Sequence, residues 1–175
     1  MSGGIDSAAA LALALAEGFT TEALFVDYGQ AAAEAERSAS RAIANHFGIA
    51  WREVTGAGHA FATGEIRGRN AFLLHSALLV LEWPAALVFI GIHAGTGYRD
   101  CDPPFVELMQ RSFDYHSSGT VRIAAPFLKW SKVEVYDYAG TSGLPLNLTH
   151  SCEAGSAPCG ACRSCLDRKL LDVPA

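Results

Sequence analysis

Met1-Ser2-Gly3-Gly4-Ile5-Asp6-Ser7 runs directly into the apolar stretch Ala8 to Ala16. Two glycines after a serine permit a tight turn with its amides facing inward. The Ala/Leu run predicts a helix over 8–17, ended by Gly18. Unpaired N–H groups of a first helical turn, with the positive end of the helix dipole, make such a junction a site for phosphate or pyrophosphate. The stretch lacks the Gly-Lys-Ser/Thr of the Walker loop, so the familiar kinase and GTPase arrangement does not apply. The bland alternative is a glycine-rich turn capped by Ser and Asp, with no ligand.

From that turn the chain alternates between helix and strand. Ala23 to Asp27 predicts a strand, Ala31 to Phe47 a helix stopped by Gly48, and Ala50 to Val54 a second strand. Residues 55–69 predict a loop. Asn70 predicts an N-cap for a helix reaching Glu82, followed by a buried strand over Leu87 to Ile92 and a helix over Phe105 to Tyr115. Ile123 to Ala125 and Lys132 to Thr141 predict a last strand and helix. This order predicts an α/β fold with a doubly wound parallel sheet, in which ligands bind at the carboxyl ends of strands. In that fold the phosphate turn follows a strand, yet only Met1 precedes Ser2, so the first strand is expected to be missing through a shortened start.

Composition narrows the class. At 175 residues with 50% apolar content, the chain is long enough for a real core. A net charge of −5 and 13 basic residues without a dense run speak against an extended nucleic-acid surface. No apolar stretch reaches a membrane span, since Leu73 to Leu81 is interrupted by His75 and followed by Glu82-Trp83-Pro84. No signal peptide precedes the glycines, and a cytoplasmic location is expected.

Cys152, Cys159, Cys162 and Cys165 stand in the pattern C-x6-C-x2-C-x2-C. The spacing suits four thiolates around one tetrahedral zinc, a structural ion because no coordination position stays open. Arg163, Arg168 and Lys169 are expected to offset the thiolate charge. Disulfides and an iron-sulfur cluster are the alternatives. The expected organisation is a nucleotide-binding domain over 1–148 and a zinc-binding segment over 149–175.

The S-G-G-x-D-S stretch resembles the PP-loop of ATP pyrophosphatases. Taken with the H-S-C…P-C-G-x-C-x-S-C-x-D-R pattern at the other end, the chain resembles the QueC family, also called ExsB, the 7-cyano-7-deazaguanine synthases. Matches in the right order lie between them: Val26-Asp27-Tyr28-Gly29-Gln30, Gly68-Arg69-Asn70, Gly97-Tyr98-Arg99-Asp100-Cys101, Pro126 and Ser131-Lys132-Val133-Glu134. The resemblance implies that Ser2, Gly3, Gly4, Ile5, Asp6 and Ser7 cradle the phosphates of ATP with magnesium, and that Asp27, Tyr28, Gly29, Gln30, Arg69 and Asn70 complete the nucleotide site. It implies catalytic roles for Asp6 and Lys132, and substrate contacts from His93, Tyr98, Asp100, Cys101 and Lys132. The implied reaction adenylates the carboxylate of 7-carboxy-7-deazaguanine, amidates it with ammonia and dehydrates the amide to a nitrile, in a homodimer to whose interface Trp51, Trp83 and Trp130 are candidates.

Blander roles stand beside these. Asp27 to Gln30 also reads as an ordinary strand-end turn, and Lys132 as a surface cation next to a Ser131/Glu134 capping box. Cys101 also reads as a small buried apolar residue whose thiol the flanking carboxylates raise, which speaks against a nucleophile. His93 follows a strand; the other histidines read as surface or satisfied core groups.

Departures from the family fall in one loop. Where its members carry a stretch resembling D-x-S-G-Y-P-D-C-R-P-E-F, this chain has His93 to Phe105 with no upstream Asp, Asp102 in place of Arg and Pro104 in place of Glu. The loop between Val54 and Arg67 is shorter than usual. A divergent branch with a kept nucleotide site and a changed acceptor is the resulting expectation. Its alternatives are an amidating ligase acting on another carboxylate, and a zinc-containing binding module without catalysis.

Overall fold

The computed structural model describes residues 1–56, 60–61, 66–94 and 96–171; of the loop expected over 55–69, residues 57–59 and 62–65 lie outside them. The first helix, α1 (Ile5–Ala16), begins at the glycine turn. It buries Ile5, Ala8, Ala9, Ala10, Leu11, Ala12 and Ala14, an apolar surface on most sides that marks a helix enclosed by its neighbours.

Two βαβ units follow. β1 (Glu22–Asp27) pairs in parallel with β2 (Ala50–Thr55), in register from Glu22 against Ala50 to Asp27 against Thr55. The crossover is α2 (Ala33–Phe47), which turns a stripe of Ala39, Ser40, Ile43 and Ala44 inward and stops at Gly48. After α3 (Arg69–Val80), β3 (Ala86–Phe89) pairs in parallel with β4 (Val121–Ala124) across α4 (Pro103–Ser117). The remaining helices are α5 (Lys132–Thr141) and α6 (Arg163–Leu171). The α/β class with parallel strands is therefore as expected. Among the described residues the strands pair as two sheets of two, β1 with β2 and β3 with β4.

The chain forms two compact units, Met1–Glu65 with Tyr136–Ala175, and Ile66–Val135. In the first unit Trp51 stacks on Phe25 at 6.3 Å between ring centroids. Its indole N–H donates to Ser40 Oγ at 2.9 Å, and that hydroxyl donates to the Met1 carbonyl at 2.8 Å. The Met1 amino group donates to Leu24 O of β1, so the start of the chain is tied to both β1 and α2. In the second unit Leu74, Phe113 and Val121 are buried, with Val88, Phe105, Met109 and Ile123 packed against them. Among the described residues no helix is long and apolar enough to cross a membrane.

Several boundaries differ from expectation for identifiable reasons. β3 ends at Phe89, not Ile92, because β4 offers only four residues and Pro126 just beyond has no N–H for a ladder. α3 starts after Gly68, which stands at the N-cap in a left-handed conformation, so Asn70 is inside the helix and not its cap. α4 starts at Pro103, not Phe105: prolines fit the first helical turn, where their missing N–H has no helical partner.

Candidate active site

Gly3 has φ 79°, and a Cβ there would stand 2.7 Å from both Ala39 Cβ and Ser40 N and 2.9 Å from Glu36 O. The turn is pressed against α2 at a place only glycine fills. On its other side the Gly3 carbonyl accepts the backbone N–H of His150 at 3.0 Å. Gly4 is the N-cap of α1, and its carbonyl accepts from Ala8 N and from Ser7 Oγ, each at 3.0 Å. Ser2 Oγ lies 3.1 Å from Ser7 Oγ and accepts from Gly4 N at 3.4 Å. Having no side chain, Gly4 caps none of the first-turn amides of Ile5, Asp6 and Ser7. A helix start of this kind carries a dipole equivalent to about half a positive charge. The six residues expected around the phosphates are thus consecutive parts of one pinned turn.

Asp27, Tyr28, Gly29 and Gln30 form a self-bonded corner at the carboxyl end of β1. Asp27 Oδ1 accepts from Gly29 N at 3.0 Å while its other oxygen pairs with Arg37, which also reaches Glu53 at 2.8 Å. Arg37 is held above the usual arginine value, first by its bond to Glu53. Gln30 accepts from Tyr28 N at 2.9 Å and donates to Val26 O at 3.2 Å and Glu36 at 2.9 Å. Its amide therefore shapes the corner. Tyr28 meets Phe61 edge to face at 6.0 Å.

The second unit brings Arg69, Asn70, Asp100 and Cys101 together. Asn70 is buried and donates from Nδ2 to Asp100 O at 3.0 Å and to Cys101 Sγ at 3.7 Å. Burial pushes the Cys101 thiol above its ordinary value, with Asp100 adding to the rise and Thr96, Arg69 and Asn70 opposing it. Such a thiol is protonated near neutrality and is no nucleophile. Tyr98 and Cys101 line an open cavity of about 370 Å³ with Thr96, Arg99, Asp102 and Leu128. His93 is buried, its Nδ1 2.6 Å from Ala94 O, and neither it nor the half-buried Lys132 is among the described residues lining that cavity. The capping box forms as expected, with Glu134 Oε2 accepting from Ser131 N at 2.6 Å and Glu134 N donating to Ser131 Oγ at 3.3 Å.

In the first unit the four sulfurs of Cys152, Cys159, Cys162 and Cys165 lie within 4.8 Å of one another. Tetrahedral zinc at about 2.3 Å from each thiolate sets sulfurs about 3.8 Å apart, so the donor set fits one such ion. All four thiols are free. Backbone amides of Ala161 and Cys162 donate to Cys159 Sγ at 3.5 and 3.3 Å and lower its pKa to about 6; burial pushes Cys165 up to about 11. Two of the three cations expected to offset this charge have other partners as well. Arg168 donates to Thr149 Oγ1 at 2.7 Å and Leu146 O at 3.0 Å, and Arg163 faces Asp167 at 3.9 Å. His150, read from sequence as a surface or core group without a partner pattern, instead links Gly3 to Cys152, whose carbonyl lies 2.9 Å from its Nε2. Its place two residues before the first cysteine was the available signal.

Residues 1–64 and 55–170 match the family profile of the queuosine biosynthesis protein QueC. The 7-cyano-7-deazaguanine synthase of Synechococcus elongatus is 34% identical over 206 aligned positions, covering 99% of this chain and 89% of the relative. The synthases of Methanoculleus marisnigri and Gloeothece citriformis are 33% and 32% identical, each covering 90% of the relative and 97% and 99% of this chain. The chain belongs to the QueC family. An alignment of 206 positions against a chain of 175 residues requires gaps in this chain, and the two profile matches meet at 55–64, where the shortened loop was expected.

Asp102, expected from the sequence resemblance to be Arg, has a local physical role. Its side chain caps α4, accepting from Phe105 N at 2.8 Å, with Pro103 and Pro104 in the first turn behind it. Asp102→Ala is expected to lower unfolding stability by about 1 kcal/mol, with Asp102→Asn close to the parent, read by urea denaturation. Equal stability of the parent and the alanine variant would show that the cap contributes nothing.

Proposed function

We propose that this QueC-family chain is an ATP-dependent ligase that converts 7-carboxy-7-deazaguanine to the 7-cyano compound. The observation that carries the reading is the pinned Ser2–Ser7 turn at the start of α1, where the N-cap is a glycine without a side chain and the dipole favours a polyphosphate. In this reading Ser2 to Ser7 bind the β and γ phosphates with magnesium, Asp6 and Lys132 act at the reacting groups, and Asp27 to Gln30, Arg69 and Asn70 complete the nucleotide site. The acceptor carboxylate attacks the α phosphate and pyrophosphate leaves. Ammonia displaces AMP from the acyl-adenylate to give the amide, and a second ATP activates that amide for loss of its oxygen as AMP, leaving the nitrile. The chain's part is to orient and to stabilise charge. His93, Tyr98, Asp100 and Cys101 are the acceptor-side residues of this proposal.

The fold such chemistry calls for is a doubly wound parallel sheet, a reading supported by the two parallel βαβ units. Cys152, Cys159, Cys162 and Cys165 would hold a structural zinc, which supplies cross-linking and no chemistry of the reaction. A cytoplasmic homodimer is part of the same proposal. A second reading, amidation of a different carboxylate, is favoured by Asp102 and Pro104, which build a helix start where the sequence resemblance leads one to expect Arg and Glu.

Incubation with ATP, magnesium, ammonium and 7-carboxy-7-deazaguanine is expected to yield AMP, pyrophosphate and the nitrile mass. AMP only with another acid, or amide without nitrile, would support the second reading. No AMP with any acid would leave a binding module, and ADP with phosphate would contradict adenylation altogether.

A further inference from the structure

We infer that His150 is a positioning residue through which the four-cysteine segment holds the phosphate turn in its anion-binding shape. The inference rests on the reading of that turn as the nucleotide site. His150 is tied at both ends. Its backbone N–H donates to Gly3 O at 3.0 Å, and its Nε2 lies 2.9 Å from the carbonyl oxygen of Cys152. A carbonyl only accepts, so Nε2 carries the proton and the ring donates. The side chain thereby sets where the residue that touches the turn stands relative to the first of the four thiolates. The same residue backs the second glycine: its carbonyl oxygen lies 3.6 Å from where a Cβ on Gly4 would be.

Arg168 closes the frame around it. From α6 its guanidinium donates to Thr149 Oγ1 at 2.7 Å, Ser151 Oγ at 3.3 Å and Leu146 O at 3.0 Å. Both neighbours of His150 are therefore held by a helix that starts at Arg163, next to Cys162, and carries Cys165 within it. The four sulfurs fit one ion, and a bound ion would fix Cys152 and α6 together. Gly3 and Gly4 lose the most conformational freedom on ordering and have no side chains with which to hold a shape, so the order must be imposed from outside. α2 supplies one wall of the turn and His150 the other.

The test is exchange of the backbone amides of residues 8 and 150, which donate to Gly4 O and Gly3 O of the turn, in zinc-loaded, nucleotide-free protein. His150→Ala and Arg168→Ala are expected to exchange about tenfold faster there than the parent, the effect of losing roughly one hydrogen bond's worth of local order. His150→Gln, whose amide N–H replaces the ring donor, is expected to restore the parental rate. The dissociation constant for ATP should rise by about tenfold in the alanine variants and return with glutamine. The absorption spectrum of cobalt-substituted protein should be the same in all four, showing that the thiolates still hold the metal. Parental exchange in both alanine variants would overturn the inference. So would faster exchange spread evenly over all helices, or no restoration by glutamine. Because exchange is read without nucleotide, localised acceleration in a protein that binds no ATP would uphold the coupling and remove the nucleotide reading instead.

Discussion

Gly3→Ala is expected to destabilise the protein by about 3 kcal/mol and to reduce ATP-dependent AMP release by more than about a hundredfold. Two costs add. An alanine at φ 79° pays the left-handed penalty of about 1–2 kcal/mol. Its Cβ would stand 2.7 Å from Ala39 Cβ and Ser40 N and 2.9 Å from Glu36 O, and two of those three contacts are backbone atoms of α2 that cannot swing aside. Either α2 shifts, which disturbs the buried stripe of Ala39, Ser40, Ile43 and Ala44, or the turn lifts and its amides no longer converge. Gly4 is the internal control for stability: its φ is −75° and an added Cβ meets nothing closer than 3.5 Å. Gly4→Ala is expected to cost less than about 1 kcal/mol. Urea denaturation of both variants decides the point, and equal losses would mean that the contact with α2 is not what demands glycine at position 3.

Removing the metal is expected to have the larger structural effect. Between Thr149 and Leu170 only Cys152 and Cys165 are buried, while Leu166 and Leu170 are 47% and 75% exposed. A segment that buries so little apolar surface cannot offset the entropy of ordering itself. Apparent zinc-binding free energies of about 10–16 kcal/mol in small four-ligand sites are enough to do so. Chelation, or Cys152→Ser, should therefore open residues 149–170 to protease and lower the thermal midpoint by at least about 10 °C. The parent should hold about one zinc per chain when fresh and reduced. A metal content below about half an ion, or an unchanged midpoint after chelation, would remove the structural ion.

Uptake of the ion is also expected to depend on pH in a defined sense. Only thiolates bind zinc, so protons and metal compete. With Cys159 lowered to about 6 by the amides of Ala161 and Cys162, and Cys165 raised to about 11 by burial, zinc binding at pH 7 expels the Cys165 proton but finds Cys159 mostly ionised. Fewer than four protons should be released per ion at pH 7. Affinity should fall further as pH drops through about 6, where Cys159 takes up its proton. Calorimetry in buffers of differing ionisation enthalpy counts those protons, and a full four at pH 7 would reverse the assignment.

The legible part of the site consists of features written in neighbouring residues. A serine, two glycines and an Ala/Leu helix are enough to define a tight turn at a helix start, and four cysteines within fourteen positions are enough to define a cluster that could hold a metal ion. Asn70 was misread as an N-cap because its position before an apolar run is what caps look like. Burial beneath Asp100 and Cys101, thirty residues on, is what determines its role. Asp102, in sequence a residue of opposite charge where the resemblance expects Arg, lines the cavity and also accepts from the amide of Phe105. The prolines after it concealed a helix start because proline is usually read as a breaker, and only the observed helix distinguishes a first turn from an interruption.

By itself, the order of residues determined the α/β class, the glycine turn at the start of α1, the four-cysteine cluster and membership of the family. Each of these depends on local periodicity or on short fixed spacings that a chain carries whatever its path in space. Tertiary structure alone decided that Gly3 packs on α2, that Gln30 bonds its own corner, and that His150 stands between the turn and the cysteines. Those roles come from hydrogen bonds and close contacts between segments far apart along the chain, and no spacing in the sequence encodes a distance across the fold.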